Sequence, residues 1–371
     1  MEDKLSRLPI EKLQSKLKYL TNDIPHDRNK LIRSILIHNI DVDAWKRKLS
    51  ILYKQLSDPL KIIINDIIKN NITEFVYEYK KQHTYDEMQA IFLSLLFNTS
   101  IIHLTFTNHV LFPGVQMFFV DILKDVLIVS NTIKYLTIDR FDFDVHEIKY
   151  LTDGLSYNIS VRHLALNGNV IKPKEIVYIM LSNFISKNNT ITHFTISESY
   201  IREWNYIFKA LINNTSIIYL NISKNTFFYN KHLVGLGYLL LHNTIIEQLY
   251  LSHLSMDDVG FKHISQSLEH NKTLNILDVE YNLITDGRLV TNLLAVNNTI
   301  TDIFISYNHL RNLENIGDAL SNNITITSLN IEGNDNISQQ EKEQVESYVD
   351  RNKMIYIVNY KSLIHMLLEL L

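Results

Sequence analysis

The sequence predicts an α/β solenoid of about eleven strand–helix units, with parallel strands on a concave face and helices on a convex one. Two observations carry this. First, a short apolar-x-apolar strand pattern recurs, beginning at Phe75, Leu104, Leu136, Leu164, Phe194, Leu220, Leu249, Leu277, Ile303, Leu329 and Ile355. The spacings are 29, 32, 28, 30, 26, 29, 28, 26, 26 and 26 residues, a period in the range of stacked repeats. Second, apolar residues between these strands follow a helical period, and asparagine punctuates the units on both sides of the helix.

Within each strand, the two apolar residues at i and i+2 fall on one face, which must be the buried one. An asparagine stands five residues after the first of them at Asn169, Asn225, Asn282, Asn308 and Asn334. A stacked asparagine there can bond the backbone of its own turn and of the adjoining coil. The same slot holds His109, Phe141, Ser199 and Leu254 in four other units. Each helix follows the turn; Phe261, Ile264 and Leu268 are one example, with Asp257 or Asp258 suited to the N-cap. An asparagine link then returns the chain to the next strand: Asn98, Asn131, Asn158, Asn189, Asn214, Asn243, Asn271, Asn298, Asn323 and Asn352. Asparagine tolerates the left-handed conformation that ends many helices, and that is the role expected here. The unit beginning at Leu104 is long, predicting a bulge or an extra turn.

The ends of such an array need covering. Residues 1–70 are expected to be a helical cap, with helices over Glu11–Leu20, Asp27–His38, Val42–Gln55 and Pro59–Lys69. The array is expected over residues 71–360. Residues 361–371 are apolar and predict a capping helix over a last strand at Ile355, with a dimer contact or membrane-surface anchor as the alternative.

These units resemble the leucine-rich repeat, in the long strand–helix subtype similar to ribonuclease inhibitor. The resemblance implies a horseshoe whose concave face binds a protein, without catalysis. The run from Leu8 to Leu20 resembles the opening of an F-box, with Trp45 following. That likeness implies that Pro9, Leu13, Leu17 and Leu20 contact an adaptor, making the chain a substrate receptor of a cullin ubiquitin ligase. A further likeness is to the Ran GTPase-activating proteins, also arrays of this subtype, which implies a regulator of a small GTPase. Their acidic C-terminal tail has no counterpart in the apolar end of this sequence.

Composition narrows the functions. Residues 1–70 carry 14 basic and 9 acidic side chains, about +5; the remainder carries 22 and 31, about −9. An acidic array argues against nucleic acid as the partner. With no cysteine, thiol nucleophiles, Cys-based zinc sites and disulfide caps are excluded. There is no phosphate-binding glycine loop, no His-Glu-x-x-His and no Gly-x-Ser-x-Gly, so a non-enzyme without cofactor or metal is expected. Asp139, Asp142 and Asp144 alternate as calcium ligands do, but the glycine and distal glutamate of an EF-hand loop are missing; a solvated acidic turn is expected. The sequence has no 18-residue uncharged apolar stretch and does not open on an apolar leader. It reads as an intracellular, cytoplasmic monomer, in a host's cytoplasm if the source is a virus or intracellular microbe.

Residues flanking the buried pair on each strand point the other way and line the concave face. The column before the first apolar residue includes His103, Tyr135, His163, His193 and Tyr219. Three imidazoles in one column offer a pH-sensitive contact to a partner, with plain surface histidines as the alternative reading. Toward the C-terminus the face becomes aromatic and acidic, and Tyr250, Asp278, Glu280, Tyr281, Phe304 and Tyr307 are expected to cluster. Aromatics ringed by charge are a usual composition for a protein-binding hot spot.

Overall fold

The computed structural model describes residues 25–79, 83–108, 113–225 and 230–369. The chain divides into two compact units, the first ending at Thr192 and the second beginning at His193. Both are built from the same strand–turn–helix coil, and the fold is an α/β leucine-rich-repeat solenoid. The first unit contains α1 (Pro25–Asn39), α2 (Val42–Gln55), α3 (Asp58–Ile68), β1 (Glu74–Tyr79), α4 (Tyr85–Leu95), β2 (His103–Asn108) and α5 (Pro113–Val129). It continues through β3 (Tyr135–Asp139), β4 (Asp142–Phe143), α6 (Val145–Tyr157), β5 (His163–Ala165), β6 (Val170–Ile171) and α7 (Glu175–Lys187). The second contains β7 (His193–Thr195), α8 (Trp204–Ile212), β8 (Tyr219–Asn221), α9 (Asn230–His242), β9 (Gln248–Tyr250) and α10 (Asp258–Leu268). It ends with β10 (Ile276–Asp278), α11 (Arg288–Val296), β11 (Asp302–Phe304), α12 (Ile316–Asn322), β12 (Ser328–Asn330) and α13 (Gln339–Glu369).

The strand-starting residues stand in register. In the first unit Phe75 lies opposite Leu104, Leu104 opposite Leu136 and Leu136 opposite Leu164, all parallel. In the second, Phe194, Leu220, Leu249, Leu277, Ile303 and Leu329 form the corresponding row. Every one of these side chains is buried, as are their i+2 partners such as Phe106, Ile138, Ile222, Leu251 and Ile305.

Two asparagine ladders satisfy the backbone that this stacking buries. In the first, after each strand, Asn282 donates from Nδ2 to Leu251 O at 3.0 Å in the preceding coil and to Val279 O in its own. Its Oδ1 accepts the Leu254 and Met256 amides. Asn169, Asn225, Asn308 and Asn334 repeat the arrangement. Because each side chain reaches back one coil, a coil without asparagine is served by the next. The amides of Phe141, Ser199 and Leu254 are bonded by Asn169, Asn225 and Asn282. That is why the slot tolerates those departures. His109 lies outside the described residues.

The second ladder follows each helix and corrects the expected role of asparagine. Asn158 has φ −74 and ψ 140, and Asn297 has φ −84 and ψ 128, so both are extended rather than left-handed. Their work is done by the side chain. Asn297 donates to Leu268 O at 2.7 Å and accepts the Thr299 and Ile300 amides, pinning the start of the next strand to the preceding helix. In three units the residue in this slot is one position earlier than expected: Ser130, Asn188 and Asn297 instead of Asn131, Asn189 and Asn298. The expected and actual residues are adjacent and polar, so spacing alone left the choice ambiguous.

The long unit at Leu104 places its extra length in α5, 17 residues against 11 in α4. Asp257 caps α10, accepting the Gly260 amide, while Asp258 instead bonds the turn at Thr285 and Asp286.

At the N-terminal end, α3 already behaves as a repeat helix, since Ile67 O accepts Asn98 Nδ2 at 2.7 Å. Helix α1 crosses to α5, where buried Arg33 donates to the carbonyls of Ile128, Val129 and Ser130. The expected helix at Glu11–Leu20, and with it Pro9, Leu13, Leu17 and Leu20, lies outside the described residues.

At the other end the expected strand at Ile355 is overturned, because residues 339–369 form one helix. A capping box starts it: Ser338 N donates to Glu341 Oε2 and Glu341 N to Ser338 Oγ. No glycine or proline interrupts it. Val345, Val349 and Asn352, at helical spacing, bury against the last coil. Asn352 still bonds Asn323 O and Ile326 O, yet its Oδ1 accepts from Arg351 rather than from the amides of a new strand. Residues 361–369 continue this helix. Among the described residues, no helix is long and apolar enough to cross a membrane.

The ladder predicts a contrast between neighbours. Asn297→Ala strands buried donors and acceptors and should cost about 2–4 kcal/mol, whereas exposed Asn298→Ala should cost less than about 0.5 kcal/mol. Urea denaturation of the two variants measures the difference.

Candidate protein-binding face

Strand geometry sets the face. With the apolar residues at i and i+2 turned into the core, the residues beside them project from the other side of the sheet. In the first unit this places His103, Tyr135 and His163 in one stack. Ring centroids are 4.1 Å apart between His103 and Tyr135, with planes 6° apart, and 4.3 Å between Tyr135 and His163. In the second unit His193 stacks on Tyr219 at 5.2 Å, and Tyr219 meets Tyr250 at 4.8 Å across the next strand. Burial holds the His193 imidazole below its ordinary pKa.

The C-terminal strands bring the expected cluster together as two rows. On the strands themselves, Tyr250, Asp278, Phe304 and Asn330 are successive register partners. Asp302 precedes Phe304 by two residues and so shares its face. Glu280 joins the strands to the turns: its Oε1 accepts from Ser306 Oγ and from Asn330 Nδ2. The second row lies on the turns. His253, Tyr281 and Tyr307 stack at 4.4 and 4.5 Å with planes 7° and 8° apart. Tyr281 and Tyr307 remain 43% and 47% exposed.

Sequence reading missed His253 and the reason for the second row. The residue four after the strand start is left-handed at Arg140, Gly168, Glu198, Lys224, His253, Tyr281, Tyr307 and Gly333. Large side chains rarely adopt this conformation. Here it lifts the rings out of the turns into one parallel stack, and ring pairs of this kind recover about 0.5–1.5 kcal/mol each. Gly333 ends the row because a Cβ there would stand 2.7 Å from Tyr307 Cδ1. Two glycines at this offset were the available signal.

Burial raises Asp278 to a pKa of about 6; the neighbouring Glu280 carboxylate adds to this, while the Glu280 amide and Ser252 hydroxyl work against it. Tyr250 is also raised, by burial first and then by Tyr219, Asp278 and Asp302. The candidate calcium residues have other partners. Asp144 takes Lys174 at 2.9 Å and caps α6, Asp142 pairs with Lys172 at 3.5 Å, and Asp139 accepts the Asn167 amide.

The Asp278 shift has a definite sign. Its folded-state pKa lies above the unfolded value, so the folded state binds the proton more tightly and stability falls as pH rises from about 4 to about 6. Asn221 and Asn330, at the same position on β8 and β12, accept the amide two residues on just as Asp278 does. Asp278→Asn should therefore raise the thermal midpoint at pH 7 by ~2–4 °C, a gain that vanishes below about pH 4. Thermal scans at the two pH values check this.

No family model and no curated protein matches the sequence. Among solved structures, the chain is similar to the leiomodin-1 actin-binding site 2, at 20% identity over 37% of this chain and 82% of that one, with a TM-score of 0.31. It is also similar to the tropomodulin C-terminal domain of Caenorhabditis elegans, at 18% identity over 36% and 83%, with a TM-score of 0.32. These likenesses are confined to about a third of the chain.

Proposed function

We propose that this chain is a non-catalytic scaffold that binds a protein partner through the open strand face of its repeats. The observation that carries the reading is the ordered display on the second unit. Tyr219 and Tyr250 on the strands and Tyr281 and Tyr307 on the turns are held by register and ring stacking, yet the turn rings stay exposed. Rings held this way lose little rotamer freedom on association, and tyrosine ringed by polar groups is the usual anchor of a protein interface. His103, Tyr135, His163 and His193 extend the same kind of surface within their own units.

The repeat itself supports the ribonuclease-inhibitor-like subtype, since each coil alternates a strand of three to six residues with a helix, at intervals of 26 to 32 residues. Residues 1–70 serve this scaffold as a cap. Arg33, buried and bonded to three carbonyls at the end of α5, supports a cap over a detachable adaptor-docking module. The proposed protein works as a cytoplasmic monomer and needs no cofactor.

The test is affinity capture from a cell lysate with the wild type and with a folded variant carrying Tyr250→Ala, Phe304→Ala and Tyr307→Ala. Loss of hot-spot rings should weaken the complex more than about 100-fold, so a specific partner should disappear from the variant. An identical set of captured proteins would refute the strand face as the binding site. Retention of a ligase adaptor by both would favour the F-box reading.

A further inference from the structure

The chemistry of the partner segment can be read from the neighbours of Phe304. This ring is half-buried on β11, with Asp278 beside it in register on β10 and Asp302 two residues before it on the same strand. Glu280 reaches the same strand by accepting from Ser306, two residues after Phe304. Parallel strands lie about 4.8 Å apart and alternate residues about 6.6 Å apart, so three carboxylates surround one aromatic side chain. Glu332 adds a fourth charge on the adjoining strand turn. The outward positions of β9 to β12 and the four residues that follow each of these strands hold no lysine or arginine; Arg311 stands further along the loop after β11, where it bridges to Asp286 and Asn336. Among the described residues, none of the ion pairs includes Asp278, Glu280, Asp302 or Glu332.

The negative charge is not required by the fold at its most buried point. Asn221 and Asn330 make the bond to the following turn that Asp278 makes, at 2.9 and 3.1 Å against 2.9 Å. Burial also disfavours the ionised form of Asp278. A carboxylate that has hydrogen bonds but no ion pair, at a position where an amide would serve and beside an apolar ring, is complementary to a cation with an apolar face. A guanidinium is such a group: it lies flat on aromatic rings and bonds carboxylates with its planar fork, whereas an ammonium is a more strongly hydrated point charge.

We propose that the β9–β12 part of the strand face binds a basic segment of its protein partner, through an arginine whose guanidinium lies against Phe304 and pairs with Asp278, Asp302 and Glu280. This rests on the strand-face reading above and specifies its ligand. The array's acidic balance, about −9 outside residues 1–70, favours the same class of partner.

The test uses the full chain and three labelled twelve-residue peptides in which serine alternates with arginine, lysine or glutamate, read by fluorescence anisotropy. The arginine peptide should bind, more tightly than the lysine peptide and with affinity falling as salt rises; the glutamate peptide should not bind. Asp278→Asn with Asp302→Asn should weaken the arginine peptide at least about tenfold, while Asp350→Asn on α13 leaves it unchanged. The conservative amides keep the turn bond, and circular dichroism verifies the fold. Absence of arginine-peptide binding, equal binding of the glutamate peptide, or equal binding by the double variant would overturn the proposal. So would dimerisation, seen by light scattering and abolished by the same double variant, because the basic segment would then be the chain's own. The two readings separate cleanly. A partner lost from the Tyr250, Phe304 and Tyr307 variant but not competed by the arginine peptide leaves the strand face as a binding site and removes its basic ligand.

Discussion

Everything in this fold depends on how the buried turn backbone between coils finds hydrogen bonds. A strand–helix coil has to reverse direction twice, and in a stack both reversals are covered by the neighbouring coils, away from water. Leaving those amides and carbonyls unpaired would cost about 1–3 kcal/mol each. Two files of buried asparagine solve this, one after the strands and one after the helices, each bonding its own coil and the one before. The primary amide is suited to the task because it donates and accepts from one short planar group. The ladder also fixes the strand register, and the register puts Tyr250, Asp278 and Phe304 side by side.

The left-handed turn residue is the second constraint. Every coil from β3 onward needs it among the described residues, and glycine at 168 and 333 meets it without steric penalty. Tyrosine and histidine at 253, 281 and 307 meet it against their preference. The cost is of order 1 kcal/mol per residue, comparable to what parallel ring stacking returns. Backbone strain and ring stacking thus occur at the same three residues, on the edge of the face where the carboxylates gather.

The sequence made the periodic features legible and the conformational ones obscure. Strand starts, buried pairs and outward columns follow from a period of two within a period near 28, and the rows Phe75 to Leu164 in the first unit and Phe194 to Leu329 in the second stand where that arithmetic puts them. The arithmetic failed at Ile355, where Met354–Val358 mimics a strand but the Ser338–Glu341 box had already committed the chain to a helix. It failed by one residue at Asn131, Asn189 and Asn298, because two adjacent polar residues satisfy the same spacing. It misjudged the link asparagines, whose side-chain bonds matter more than their backbone preference. At the candidate face, His253 escaped notice because a left-handed turn leaves no hydrophobic period to count. Periodicity gave no sign that the helix spanning 58–68, within the expected cap, offers Ile67 O to the same asparagine bond as the later helices.

Arg351 has a consequence for how such a protein can lengthen. Its guanidinium takes the carbonyls of Leu320, Ser321 and Asn323, and its Nε bonds Asn352 Oδ1. Leu320 O corresponds to the acceptor that earlier helices offer to the asparagine of the next coil, and Asn352 Oδ1 to the group that would pin a further strand. The residue therefore acts as a chain terminator in the polymer chemist's sense: it consumes the reactive end. A further coil could stack on this end only by first displacing the Arg351 guanidinium from these acceptors.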